Sequence, residues 1–162
     1  MYFNIETKRL KLRPISLKDA EFIIDLTNSK GWLNFIGNRN ISTKEDAVNY
    51  IQKIINNANF YYTVFELKES QKAIGIVTFL KREDEQFPDI GFALLPEFQK
   101  NGYTLEASKS YLEKIASLQI HQNIIAFTMP NNQRAIKLLH KLGFHHTGNF
   151  MEKKENLSYY SL

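Results

Sequence analysis

Residues 94–104 read Leu94-Leu95-Pro96-Glu97-Phe98-Gln99-Lys100-Asn101-Gly102-Tyr103-Thr104: an apolar strand end, a short loop with one glycine, and the start of a helix. The first N–H groups of a helix have no partners inside it and point outward together. They form a receptor for phosphate, which the helix dipole strengthens. Gly102 would let the main chain approach phosphate oxygens with no side chain in the way. Lys100 would add a point charge there, as an ordinary exposed lysine also would. The loop is neither a Walker loop nor a dinucleotide fingerprint, since it lacks a Gly-Lys-Ser/Thr ending and repeated glycines.

Other chemistry is excluded by residue type. The chain has no cysteine, which removes disulfides, thiolate nucleophiles and cysteine-ligated zinc. The four histidines are His121, His140, His145 and His146. The adjacent pair would point to opposite sides of a strand, so no metal site is expected. The net charge of +4 comes from an excess of basic residues in the first half, densest at Lys8, Arg9, Lys11 and Arg13. That run reads as a solvated strand face, with steering of an anionic ligand as the alternative. Nucleic-acid binding would need a denser cluster than this.

The elements that must carry the loop follow from apolar spacing. Leu10 to Arg13 alternates as an early strand. Ser16 and Ser42-Thr43 start two helices, the second presenting Ala47, Val48, Ile51, Ile54 and Ile55, and Gly31 should break the first. Phe60–Leu67 and Ala73–Leu80 form an antiparallel pair, and Asp89–Leu95 is a strand stopped by Pro96. Thr104–Leu118 and Asn132–Leu142 are helices on either side of a strand at Asn123–Met129, and a hairpin closes the chain. Strands separated by a helix should run parallel, which predicts an α/β fold: a mixed sheet with helices on both faces. The 162 residues, 43% of them hydrophobic, fit one domain spanning 1–162. The 12 Phe and 8 Tyr imply a bulky core or an apolar groove. Trp32, Phe35, Tyr61 and Phe87 are groove candidates. No signal peptide or bilayer-length apolar run is visible, so a cytoplasmic protein with no membrane partner is expected.

A second segment, Asn132-Gln133-Arg134-Ala135 through Lys141-Leu142-Gly143-Phe144, completes a pattern with Ile90-Gly91-Phe92 and with Pro96 through Ala107. Together with Glu6 through Pro14, these segments resemble the GNAT superfamily of N-acetyltransferases, most closely the branch containing bacterial ribosomal-protein N-terminal acetyltransferases. The resemblance spans nearly the whole chain. It implies a mainly antiparallel sheet whose central parallel strand pair splays apart. It also implies acetyl-coenzyme A as cosubstrate, with the pyrophosphate held by Gln99, Lys100, Asn101, Gly102, Tyr103 and Thr104. The pantetheine arm would run along Phe92, Ala93, Leu94 and Leu95, and the Asn132 side chain would contact the cofactor or cap its helix.

On that resemblance an amine attacks the thioester directly, and an amide N–H at Leu94 or Leu95 stabilises the oxyanion. Asp89 stands where the branch carries a glutamate, which implies a general base acting through water; Glu85 is the weaker candidate. Leu139 and Ala135 depart from a tyrosine acid and a serine found in other members. The expected acceptor is an amine-bearing small molecule or a protein N-terminus, lined by residues 16–60 and 143–162. A non-catalytic acetyl-coenzyme A-binding regulatory domain is the alternative.

Overall fold

The computed structural model describes residues 2–119, 121, 123–152 and 155–162. Eight strands form one sheet in the order β1-β2-β3-β4-β5-β6-β8-β7. They are β1 (Ile5–Glu6), β2 (Leu10–Pro14), β3 (Phe60–Leu67), β4 (Ala73–Leu80), β5 (Asp89–Leu94), β6 (Ile125–Thr128), β7 (His145–Glu152) and β8 (Glu155–Ser161). Every neighbouring pair is antiparallel except β5 and β6. The chain between those two strands contains helix α4 (Tyr103–Ser117), so it crosses over to a parallel neighbour as the element order requires. The expected mixed α/β sheet is therefore present.

Alternation along the strands divides the core in two. On one face α4 and α5 (Gln133–Lys141) bury Tyr111, Ile115, Leu139 and Phe144 against Leu10, Phe65, Val77 and Ile90. On the other, α1 (Ala20–Thr27), α2 (Lys30–Phe35) and α3 (Lys44–Ile55) cover Val64, Ile76 and Leu95 with Ile23, Trp32, Ala47 and Ile51.

The caps explain the helix starts. Thr43 accepts the Asp46 N–H at 3.1 Å, and the Asp46 carboxylate reaches back to the Thr43 N–H at 2.9 Å. The first helix keeps the expected Ser16 start, with the Asp19 carboxylate accepting the Ser16 N–H at 2.8 Å, but its first turn differs. Its entry, Leu17–Asp19, is a 3-10 turn, and Asp19 is buried where Arg13 grips both its carboxylate oxygens at 2.8 and 2.9 Å. Gly31 does not break the helical path either. A new helix starts at Lys30, because Ser29 caps it by accepting the Trp32 N–H at 3.4 Å and Trp32 is buried. The exposed Ile55 also falls outside the buried face expected of α3. No helix among the described residues is long and apolar enough to cross a membrane.

Candidate active site

The gap between β5 and β6 is the central feature. Their recorded pairing is a single partner pair, Asp89 with Ile125. Beyond it, Gly91, Phe92, Ala93 and Leu94 are all only half-buried, although they lie in the middle of an eight-stranded sheet and point alternately to both faces. The two strands therefore separate after their first residues.

Hydrogen bonding fixes which main-chain groups face this gap. The Leu95 N–H donates to the Ile74 carbonyl at 2.9 Å, so Leu95 is turned toward β4. In an antiparallel pair such orientations alternate, which turns Ala93 and Gly91 toward β4 as well. The main-chain groups of Leu94, Phe92 and Ile90 then face β6. The Ile125 N–H, donating to the Pro88 carbonyl at 3.0 Å, belongs to the same register. Leu95 cannot serve as an oxyanion donor in this arrangement, because the sheet already uses its N–H. The main-chain groups of Phe92 and Leu94 remain turned toward the gap. The main chain of Ala93 faces β4.

At the end of β5, Pro96–Phe98 forms a 3-10 turn, and the loop then passes through two left-handed residues, Lys100 at φ 67° and Gly102 at φ 77°. Gly102 is the N-cap of α4 and carries no side-chain cap, so the first N–H groups from Tyr103 onward stand outward. The Asn101 side chain turns inward and donates to the carbonyls of Phe98 and Gln99 at 3.2 and 3.1 Å. It shapes the loop. Gln99 accepts a hydrogen bond from Arg134, which ties the loop to the first turn of α5. Asn132 caps that helix by accepting the Ala135 N–H at 3.2 Å. Leu139 is fully buried, so its position belongs to the core.

Across the sheet at the opposite end of β5, register places Tyr62, Thr78, Gly91 and Asp89 on the face of α1 and α3. A Cβ on Gly91 would lie 2.6 Å from the Thr78 hydroxyl oxygen, so only glycine leaves that floor open. Tyr50 of α3 stands edge-on to Tyr62 with ring centroids 6.5 Å apart. Burial and then the Tyr50 hydroxyl raise the pKa of Tyr62, and the guanidinium groups of Arg39 and Arg82 offset this only in part. Tyr62 therefore stays a neutral phenol at physiological pH.

Asp89 is buried and accepts a hydrogen bond from Arg82 Nε at 2.6 Å. Past the gap, Phe127, Phe150 and Tyr159 form an edge-to-face cluster on the same side. The Tyr159 hydroxyl donates to Glu85 at 3.0 Å. Burial and then that carboxylate push its pKa up to about 12. Farther along this face, beyond the end of β5, a cavity of about 520 Å³ is lined by Ile24, Asp25, Asn28, Ser29, Leu95 and Glu97. The stretch 16–60 thus contributes α1 and Tyr50 to this side. Within 143–162, residues 153 and 154 lie outside the described residues.

Of the groove candidates, Trp32 is buried and donates its indole N–H to the Gly37 carbonyl at 3.0 Å. Tyr61 packs on the α4 face, with its hydroxyl on the Ala58 carbonyl at 2.6 Å. Phe35 is exposed on α2, and Phe87 is half-buried beyond β4. Tyr50, Tyr62, Arg82 and Tyr159 were not singled out from the sequence. The signal available for Tyr62 was the strand alternation that sets it in line with Gly91.

Comparison with known proteins gives the geometry a family context. A family profile described as an acetyltransferase (GNAT) domain matches residues 9–145. The uncharacterized N-acetyltransferase YnaD of Bacillus subtilis (strain 168) is 28% identical over 148 residues, 91% of this chain and 85% of that protein. The spermidine N-acetyltransferase of Vibrio cholerae, solved with CoA and spermine, superposes with a TM-score of 0.82 at 17% identity over 96% of both chains. The ribosomal-protein-S5-alanine acetyltransferase of Vibrio fischeri does so with a TM-score of 0.73 at 19% identity, over 99% of this chain and 96% of that one. At these identities the superpositions carry the fold. Because they extend to both a polyamine and a ribosomal-protein enzyme, the ribosomal branch is not singled out.

Proposed function

The chain belongs to the GNAT acetyltransferase family, and from that premise we propose that it transfers the acetyl group of acetyl-coenzyme A to a primary amine, with a protein N-terminal amine as the leading acceptor. The observation that carries this reading is the gap after Asp89 and Ile125, with Phe92 and Leu94 turned toward it and the loop 99–104 at its end. The pyrophosphate rests on the N–H groups at the start of α4, beside Gly102. The pantetheine arm runs back along β5 and hydrogen-bonds to Phe92 and Leu94, with Gln99, Lys100, Tyr103, Thr104 and Asn132 bordering the cofactor. Residues 1–162 act as one domain in this reading.

The thioester carbonyl accepts from the Leu94 N–H, which stabilises the oxyanion as the amine attacks. The nitrogen–carbon bond forms, the carbon–sulfur bond breaks, and the coenzyme leaves as thiolate. Asp89 takes the amine's proton through a water. Its hydrogen bond from Arg82 holds the carboxylate in place. An α-amine suits direct attack, because its ordinary pKa of about 7.7–8.0 leaves an appreciable neutral fraction near pH 7, whereas a lysine-type amine near 10.4 is almost wholly protonated. The aromatic walls at Tyr50, Tyr62 and Tyr159 also suit the apolar part of a peptide better than a bare polycation.

The test is a thiol-release screen with acetyl-coenzyme A against free N-terminal peptides, polyamines and aminoglycosides. Peptide turnover exceeding the other classes is expected. Preferential turnover of polyamines or aminoglycosides would refute the acceptor assignment, and saturable cofactor binding without release on any amine would refute the catalytic one.

A further inference from the structure

Arg9 lies in the basic run near the N-terminus, just before β2, yet its side chain reaches the phosphate loop more than ninety residues away. Its Nε donates to Glu106 Oε2 at 2.7 Å, its backbone N–H donates to Glu106 Oε1 at 2.9 Å, and its Nη1 donates to the Asn101 carbonyl at 2.9 Å. The guanidinium lies over the Tyr103 ring, 4.4 Å from its centroid. Nη2 stands 3.6 Å from where a Cβ on Gly102 would be. Glu106 is fixed in turn by the Thr7 hydroxyl at 2.6 Å. One guanidinium therefore contacts Asn101, Tyr103 and Glu106 and stands beside Gly102.

A solvated strand face does not explain these contacts. An exposed surface ion pair contributes little and seldom holds one geometry, but here a planar fork is fixed by two acceptors and an aromatic face. Nε and Nη1 are engaged, while Nη2 makes no hydrogen bond among the described residues and lies beside the glycine where phosphate must come close. We infer that Arg9 is a cofactor-positioning residue that clamps the phosphate loop from just before β2 and turns its remaining guanidinium nitrogen toward the cofactor's phosphates. The inference rests on the acetyl-coenzyme A reading above. It accounts for one basic residue of the N-terminal run; Lys8 and Lys11 remain exposed.

The experiment compares the full chain with Arg9→Gln and Arg9→Lys, using acetyl-coenzyme A and the phosphate-free donor S-acetylpantetheine. Arg9→Gln should raise KM for acetyl-coenzyme A at least tenfold, with kcat at saturation within about threefold. Arg9→Lys, which keeps charge but not the fork, should lie between it and the unsubstituted protein. Turnover of S-acetylpantetheine should change less than twofold in both. An unchanged KM, or an equal loss with both donors, would overturn the inference, the second outcome marking a merely structural residue. If Arg9→Gln does not fold, Arg9→Lys decides by the same comparison. If the unsubstituted protein neither binds coenzyme A nor releases thiol, the parent reading fails and takes this inference with it. Normal binding with indifferent Arg9 variants removes only the inference.

Discussion

Gly102 is required by backbone shape as well as by space. At φ 77° an L side chain is strained, by about 1–2 kcal/mol, although a Cβ there would meet nothing closer than 3.6 Å. Gly102→Ala should therefore leave the fold in place with a thermal midpoint lower by several degrees. It should weaken coenzyme A binding about tenfold, because relaxing φ swings the first N–H groups of α4 away from the phosphates. Calorimetry on the folded variant checks this, and an unchanged affinity would displace the pyrophosphate from the loop. A valine would be a harsher choice, since a β-branched residue tolerates positive φ least.

Asp89→Asn preserves size and removes the base. It should slow the chemical step more than tenfold in single-turnover acetylation, with coenzyme A affinity kept. A near-normal rate would show that Asp89 serves to hold Arg82. The amine itself sets the pH dependence. Only its neutral form attacks, so with an α-amine acceptor the chemical rate should rise from about pH 6 and level off above about pH 8. A flat single-turnover profile across that range would contradict direct attack.

Elements were more legible than contacts. Apolar period and cap residues located α3, β3, β4, β5 and α4 because each signal is local, and the helix between β5 and β6 forces their parallel sense. What was lost is what depends on tertiary context. Gly31 looks like a break, but burial of Trp32 and the Ser29 cap carry a helix through it. Asp89 looks like a free strand-end carboxylate until Arg82, in a mixed-charge loop, folds back onto it. Leu94 and Leu95 look equivalent as donors because only strand register reveals which one faces β4.

That register gives a test at the scale of β5. Replacing the Leu94 amide with an ester deletes one N–H and should lower the chemical rate by about 10²–10³ with little loss of stability. The same change at Leu95 removes a sheet bond to Ile74 and should lower stability instead, measured by denaturant unfolding. The join between β2 and α4 predicts a pH effect. Burial opposes ionisation of Glu106, but hydrogen bonds from Thr7 and Arg9 outweigh it and hold its pKa below the ordinary 4.5. Its stabilising contribution is thus fully present above pH 4.5 and lost as pH falls through the lower folded value. The thermal midpoint of the protein should exceed that of Glu106→Gln at pH 7, and the difference should shrink below pH 4.5. A difference that is constant with pH would assign the effect to packing.

Across the whole molecule, the proposed reading assigns the two reactants to different parts of one sheet. In that reading the cofactor loop lies beyond one end of β5, the aromatic acceptor face lies toward the other, and the gap between β5 and β6 joins them. The family pattern was readable over most of the chain because it rests on a main-chain device, a loop and a parted strand pair, that few residues specify. The acceptor was not readable. The walls proposed for it come from α3, β3 and β8, which meet only in the fold, and the matched structures include enzymes for different amines. The most direct test of the account is a single-turnover reaction with excess enzyme, radiolabelled acetyl-coenzyme A and a peptide bearing one free α-amine, followed by simultaneous counting of released thiol and acetylated peptide. The account predicts equal amounts of both at every time point, with no label on the protein. Thiol release without acetylated peptide, or label that appears first on the protein, would contradict direct transfer across the gap between β5 and β6.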